Sequence, residues 1–234
     1  MPQPPTLKIA EIFASIQGEG LRQGEPTIFV RLAGCNLRCA FCDTKRVWTG
    51  GRETPIARIA ARVARLQKSS PAEWIVLTGG EPLLQDVGPL VRLLKNEGHS
   101  SAACMHGRVR RNLTPGPNPG PRPPKIQIET NGIIYRRLPI DWYTVSPKPP
   151  AYAFHPEYRA RAREVKLVAS KELTYAVVVR VRDAFPPSVP LLLQPESNSA
   201  ASGAKALRLL RRAAREGRTN IRLSLQMHKI LKVP

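Results

Sequence analysis

Five apolar runs in this chain each stop abruptly at a cluster of polar or glycine residues, and this rhythm restricts the fold more than any other feature. Thr27–Ala33 ends in Gly34-Cys35-Asn36, and Glu73–Thr78 ends in Gly79-Gly80-Glu81-Pro82. Ile126–Thr130 ends in Asn131-Gly132, Asp141–Val145 in Ser146-Pro147-Lys148, and Val189–Leu193 in Gln194-Pro195-Glu196-Ser197. Short β-branched runs bounded by turn residues read as buried strands, and helical periodicity between them makes an α/β parallel sheet. In a parallel sheet or barrel the carboxyl ends of the strands share one mouth, so the five clusters converge on one site.

The helices are placed by period and caps. Thr54-Pro55 reads as an N-cap with Pro at the first helical position; Ile56, Ile59, Ala60, Val63 and Leu66 then form an apolar face opposite Arg58, Arg62 and Arg65. A second helix runs through Leu90, Leu93 and Leu94 to Gly98, and a basic helix turns Ala204, Leu207, Leu210 and Ala214 inward. Leu7–Ile16, Glu164–Val168, Tyr175–Val181 and Ile221–Leu225 read as further strands, the first ending in the polar loop Gln17-Gly18-Glu19-Gly20.

At 234 residues the chain suffices for one large domain, expected over 7–234, with residues 1–6 a flexible Pro-rich tail. Residues 101–125, with six prolines, three glycines, five cations and no acid, read as an inserted, largely disordered loop. No apolar run approaches the ~20 residues that cross a bilayer, and no secretory leader pattern opens the sequence, so a soluble cytoplasmic protein is expected.

The formal charge is +20. Residues 205–234 carry nine Lys and Arg against Glu216 alone. With the cations of 101–125, that concentrates much of the excess in one helix and one loop. Solvated basic surfaces explain this as simply as nucleic acid does.

Three of the four cysteines, Cys35, Cys39 and Cys42, lie within eight residues as C-x3-C-x2-C, at the end of the Thr27–Ala33 strand. Disulfide frameworks spread their cysteines, whereas this cluster suits one metal centre. A closed zinc site needs a fourth ligand, and Cys104, His99 and His106 stand at no ligand-like interval. Apolar packing needs no such spacing. An iron–sulfur cluster on three thiolates leaves one iron open for chemistry, and the pattern favours it.

The cysteine loop together with the Gly-Gly-Glu-Pro turn resembles the radical S-adenosylmethionine (SAM) superfamily. Six segments in order, E-I-F-x-S-I-Q-G-E-G, F-V-R-L-x-G-C-N-L-x-C-x-x-C-D-T, T-G-G-E-P-L-L-Q, I-E-T-N-G, S-P-K and S-L-Q-M-H-K, resemble more narrowly the 7-carboxy-7-deazaguanine synthase family of the queuosine and archaeosine tRNA-base pathways. The likeness runs from about residue 9 to the end, outside 101–125. It implies an incomplete parallel β/α barrel with a six-stranded core, fewer helices than strands, and peripheral strands.

The resemblance also implies a lyase with a 4Fe-4S cluster, SAM used catalytically, and magnesium. A 5′-deoxyadenosyl radical abstracts hydrogen from C6 of 6-carboxy-5,6,7,8-tetrahydropterin; ring contraction with loss of ammonia gives 7-carboxy-7-deazaguanine. The implied partners are the pterin, an electron donor such as flavodoxin or ferredoxin, and a second copy in a homodimer, with neither membrane nor direct nucleic-acid substrate. A radical SAM activase of a glycyl-radical protein and a basic zinc-containing RNA-binding module are the competing readings.

Matched residue by residue, the resemblance puts the cluster on Cys35, Cys39 and Cys42 and magnesium on Thr44. SAM falls to Phe41, Cys42 and Asp43, to Gly80, to Ser146, Pro147 and Lys148, and to Gln194, Pro195, Glu196 and Ser197. Substrate falls to Ile16, Gln17, Gly18, Arg31, Thr78 and Pro234. Arg31 offers a planar fork to a carboxylate, and Gly79-Gly80 allows a ligand close to the backbone. Phe41 stands where the family usually has Trp. Glu129 and His228, polar residues at strand ends, are candidates for substrate contact or proton handling, against a purely structural role for the histidine.

Overall fold

The computed structural model describes residues 4–96 and 123–234. Among the described residues nine strands form one sheet: β1 (Thr6–Ile16), β2 (Pro26–Leu32), β3 (Arg52–Pro55), β4 (Trp74–Gly79), β5 (Lys125–Thr130), β6 (Trp142–Val145), β7 (Ala162–Val168), β8 (Leu191–Gln194) and β9 (Ile221–Leu223). The spatial order is β3-β1-β2-β4-β5-β6-β7-β8-β9. From β2 onward every neighbour is parallel, while β1 pairs antiparallel with both β2 and β3. Parallel strands that follow one another in chain order wind in one sense, which curls the sheet into a partial barrel rather than a doubly wound sheet. The six-stranded core is β2 and β4 to β8, with β1, β3 and the short β9 at its margins.

Among the described residues the strands are accompanied by α-helices α1 (Ile56–Ser69), α2 (Gly88–Asn96), α3 (Tyr158–Arg161), α4 (Tyr175–Asp183), α5 (Ala200–Arg215) and α6 (Met227–Leu231). Alternation along the strands divides the molecule into two environments. Ile28, Val30 and Leu32 of β2, Ile75 and Leu77 of β4, Ile126 and Ile128 of β5, and Val165 and Leu167 of β7 join the apolar core with the helices. The intervening residues, among them Arg31, Thr78, Glu129 and Lys166, face the cavity.

Deeper in the barrel the same inner face carries a buried polar relay. Arg22 donates to Gln127 Oε1, Gln127 Nε2 donates to Thr144 Oγ1 at 2.8 Å, and Thr144 Oγ1 donates to Glu164 at 2.7 Å. The Arg22 guanidinium lies 3.5 Å from the centroid of the Trp74 ring, and the Leu21 amide donates to Glu164 at 2.7 Å. The β1–β2 loop thus fills the barrel interior from one side and satisfies its polar groups, as burial demands.

Five sequence readings need correction. Tyr175–Val181 is part of α4, not a strand: its β-branched residues suggested extension, but Thr174 caps the helix by accepting from the Val177 amide at 3.3 Å. Thr54-Pro55 belongs to β3, paired with Thr6 and Leu7, so α1 opens at Ile56 without a side-chain cap. The inward face of α5 is Ser202, Ala206, Leu209 and Ala213, rotated by about one residue from the face expected, which leaves Ala204, Leu207 and Ala214 exposed. Thr6 begins β1 rather than ending a tail, and Pro5 accepts from the Ile56 amide at 3.1 Å. Of the expected insertion, Lys125 already belongs to β5; 101–122, with Cys104 and His106, lie outside the described residues, as do Gly98 and His99.

Candidate active site

The carboxyl ends of the parallel strands open into a cavity of about 250 Å³. Cys35, Cys39 and Cys42 line it together, on a loop held from three sides. The Ala33 amide donates to Lys8 O at 2.8 Å, the Gly34 amide to Val47 O at 2.8 Å, and the Glu81 amide to Gly34 O at 2.9 Å. Asn131 Nδ2 donates to Asn36 Oδ1 at 2.8 Å, joining the end of β5 to the loop. Glu81 is the hub of this rim. Its carboxylate accepts from Leu83 N, Thr130 Oγ1 and Asn131 N at 3.1, 2.8 and 2.7 Å. Burial pushes its carboxyl upward against the pull of those donors.

Gly79 and Gly80 line the cavity, but the closest constraint on them is the neighbouring chain rather than a ligand. Gly79 has φ +143, and a Cβ there would stand 2.1 Å from Leu32 O; a Cβ on Gly80 would stand 2.1 Å from Gly34 O and 2.9 Å from Cys35 Cβ. The glycine pair lets β4 press against the base of the cysteine loop.

Burial pushes the Cys35 thiol up, opposed by the Leu37 amide that donates to it at 3.4 Å. Cys39 is pushed up by burial and drawn back by the Lys148 ammonium. Among the described residues, no three Cys, His, Asp or Glu side chains converge as a single metal ion would require. A cluster instead presents a separate iron to each thiolate, so three thiols spread along one wall fit it. Thr44 makes no capping hydrogen bond, and its hydroxyl lies 3.6 Å from Cys42 Sγ in the cavity wall. A hydroxyl with no helical task fits a hard cation that keeps most of its waters.

The segments matched to SAM gather as expected with one exception. Phe41, Asp43, Gly80, Ser146, Lys148 and Gln194 through Ser197 line the cavity, whereas Pro147 is buried and does not. Gln194 Oε1 is buried with no hydrogen-bond partner among the described residues. Lys148 Nζ donates to Ser146 Oγ at 2.5 Å; burial, with the neighbouring Lys166 ammonium, lowers Lys148 to about 8.

Ile16, Gln17, Gly18, Arg31, Thr78 and Pro234 all line the cavity. Arg31 Nε donates to Glu11 at 2.6 Å, so one edge of its fork is fixed and its outer nitrogens remain for an anion. Glu129 accepts from Gln17 Nε2 at 3.1 Å and from Thr78 Oγ1 at 2.9 Å, which clamps one carboxylate oxygen each. His228, on α6 rather than at the strand end expected, also lines the cavity, its ring against Gly18, where a Cβ would lie 2.2 Å from Nδ1.

Sequence reasoning missed a set of charged pairs in the cavity wall. Lys166 of β7 is buried and ion-paired with Glu19, which also accepts from Gln226 Nε2 at 2.7 Å. Burial resists ionisation of Glu19, but the Lys166 charge and these hydrogen bonds hold it down at about 2, and Lys166 is raised in turn. Lys229 pairs with Asp43 at 2.7 Å. The signal was present: Glu164 and Lys166, two residues apart in an apolar strand, put charges on its inner face.

A family model for the radical SAM superfamily matches residues 29–168. A 7-carboxy-7-deazaguanine synthase of Synechocystis sp. is 31% identical over 228 residues, covering 96% of this chain and 92% of that protein. The synthase of Rhodospirillum rubrum is 33% identical, covering 97% and 93%, and that of Aquifex aeolicus 33%, covering 95% and 92%. The crystal structure of QueE from Escherichia coli superimposes with a TM-score of 0.69 at 26% identity, covering 95% of each chain.

Proposed function

The chain belongs to the radical SAM superfamily and, within it, to the 7-carboxy-7-deazaguanine synthases of deazapurine biosynthesis, and on that premise we propose that its cavity converts 6-carboxy-5,6,7,8-tetrahydropterin to 7-carboxy-7-deazaguanine with loss of ammonia. The observation that carries this reading is convergence. The cysteine loop, the Arg31 guanidinium, the clamped Glu129 and the ends of β4, β5, β6 and β8 meet in one cavity. Membership sets aside the activase and RNA-module alternatives.

When bound, a 4Fe-4S cluster and SAM supply the one-electron chemistry that removes a hydrogen atom from the pterin C6. Cys35, Cys39 and Cys42 would hold the cluster. SAM would lie against Phe41 to Asp43, Gly80, Ser146 and Lys148, and Gln194 to Ser197. Lys148 places a cation beside Cys39, suited to the carboxylate of a bound amino acid group.

Arg31 would receive the pterin carboxylate on its outer nitrogens, braced by Glu11. Thr44 would give one oxygen to a Mg2+ ion. Glu129, with both oxygens oriented by Gln17 and Thr78, would accept a hydrogen bond or a proton from the reduced ring. His228, held by Gly18, would close the substrate side. The barrel fill by Arg22, Gln127 and Thr144 keeps water from entering below, so the reacting radical is sheltered.

The reaction needs a one-electron reductant, for which a flavodoxin or ferredoxin is the fitting class. Residues 6–234 act as one domain, and a homodimer in the cytoplasm is the working assembly. Among the described residues no helix is long and apolar enough to cross a membrane.

Anaerobic incubation of the reconstituted protein with SAM, reductant, Mg2+ and the carboxytetrahydropterin tests the proposal. The expected products are 7-carboxy-7-deazaguanine and ammonia without net loss of SAM. An intact cluster with no such product refutes it.

A further inference from the structure

The last stretch of the chain carries polar side chains inward and apolar ones outward. Ser224 and Gln226 are buried: Ser224 Oγ accepts from the Gly20 amide at 3.0 Å, and Gln226 Nε2 donates to Glu19 at 2.7 Å and to Asp43 at 3.3 Å. Leu223 and Leu225, which alternate with them, are exposed. That reverses the order expected of a chain segment with one face in water. The helix that follows continues the pattern. Ile230 and Leu231 of α6 are 58% and 55% exposed, the two highest values for large apolar side chains among the described residues, and Val233 follows them. Five of the nine exposed large apolar side chains among the described residues thus fall within 223–233. Scattered singly such side chains need no explanation, but gathered in one stretch they mark a surface that another molecule covers.

Charge and position say what covers it. Residues 217–234 contain no Asp or Glu, and Lys232 is exposed among the apolar side chains. The one acidic group, the terminal carboxylate, is tied down by Ser15, whose Oγ donates to Pro234 O at 2.6 Å. A second copy docked here by two-fold symmetry would set lysine against lysine, whereas an acidic partner complements the surface. Position narrows the partner further. Lys229 of α6 pairs at 2.7 Å with Asp43, the residue directly after Cys42, and Lys45 of the same loop is exposed. A molecule seated on α6 is therefore one ion pair from the loop that carries the thiols.

We propose that the outer face of α6 and the Leu223–Leu225 edge is the docking surface for an acidic one-electron carrier protein, with the apolar side chains at its centre and Lys232 and Lys45 at its rim. This rests on the reading of the cavity given above, which requires a reductant. In the complex the carrier loses one electron and the cluster on Cys35, Cys39 and Cys42 gains it, with no atom transferred.

Calorimetric titration of the cluster-reconstituted protein with an oxidised flavodoxin tests the surface. Product formation driven by dithionite is the control, since a small reductant needs no docking site. The double substitution Ile230→Ser with Leu231→Ser, and separately Lys232→Glu, should each raise the flavodoxin dissociation constant about 10-fold, while the dithionite-driven rate stays within about twofold of wild type. No measurable binding by the wild type, or an unchanged dissociation constant in either variant, overturns the proposal. If the double variant is monomeric where the wild type is dimeric and keeps its flavodoxin affinity, the patch belongs to a second copy and the proposal fails. A dithionite-driven rate that falls together with the affinity means that the segment shapes the cavity, which overturns it as well. A wild-type protein inactive with dithionite despite an intact cluster overturns the site reading instead, and the binding constants still decide the docking surface.

Discussion

A side-chain carbon on Gly80 would stand 2.1 Å from the carbonyl oxygen of Gly34, the residue immediately before Cys35. The end of β4 and the start of the cysteine loop are therefore in backbone contact, with no room for a methyl group. Gly80→Ala should displace the loop rather than merely crowd the cavity. Iron content after reconstitution should fall to roughly half or less, with thermal stability lowered by about 1–3 kcal/mol, as for other overpacked sites. Iron and sulfide analysis with a melting curve measures both. A fully loaded, normally stable variant would show that the contact relaxes without moving the loop.

Cys39→Ala should abolish product formation and leave the cluster one thiolate short. The far-ultraviolet circular dichroism should be unchanged, because Cys39 lies in the cavity wall and the sheet does not depend on it. Iron content and the visible absorption of the reconstituted variant are the measurements.

Thr44 has a hydroxyl with no cap to make. Thr44→Ala should raise the Mg2+ concentration for half-maximal activity by about 10-fold while cluster content stays at the wild-type level, one oxygen ligand being lost from a largely hydrated ion. Loss of iron in this variant would contradict the role given to Thr44.

Arg31 is a guanidinium shared between Glu11 and the cavity. Lysine cannot hold both at once, since it lacks the planar fork. Arg31→Lys should therefore raise the KM for the carboxytetrahydropterin about 10- to 100-fold, with kcat changed by less than about threefold. A pterin analogue without the carboxylate should lose this discrimination between wild type and variant.

Glu19 makes the acid stability of the fold predictable. Its carboxyl is held at about 2 against an ordinary value of 4.5, so its pairing with Lys166 stabilises the native state above the unfolded value and is lost as pH falls through the folded one. Glu19→Gln should lower stability at pH 7 by on the order of 3 kcal/mol, the free energy of a shift of that size. The gap between wild type and variant should narrow as pH drops from 4.5 toward 2. Denaturant unfolding at several pH values tests this; a gap that is constant with pH would mean that Glu19 acts by packing alone.

Much of this architecture was legible in the chain because its strands are short, apolar and closed by turn residues. The polar clusters after β2, β4, β5, β6 and β8 mark the mouth without further information. What local pattern did not carry was the helix at Tyr175, where Val177, Val178, Val179 and Val181 argue for a strand and only tertiary packing and the Thr174 cap decide otherwise. The face of α5 was misread because alanines and leucines occur on both sides of the helix, so a rotation of one residue leaves the pattern nearly as apolar.

In the site, the cysteines and strand-end motifs are contiguous in sequence and were visible. The charged wall was not. Glu19 meets Lys166 across 147 residues and Gln226 across 207, and no periodicity reports a pairing of that span. The spacing of Glu164 and Lys166 showed only that β7 had charges to hide.

The long reach of those pairs also sets an order of assembly. Translation delivers the chain from its N-terminus, so the cysteine loop emerges while β7, β8 and the Gln226–Lys229 stretch are still unmade. Asp43 gains its Lys229 partner, and Glu19 its Gln226 partner, only after the chain has emerged past those residues. A nascent chain therefore offers three thiols on a loop whose neighbouring charged pairs have not yet formed, and the chamber takes shape only once that later stretch is in place.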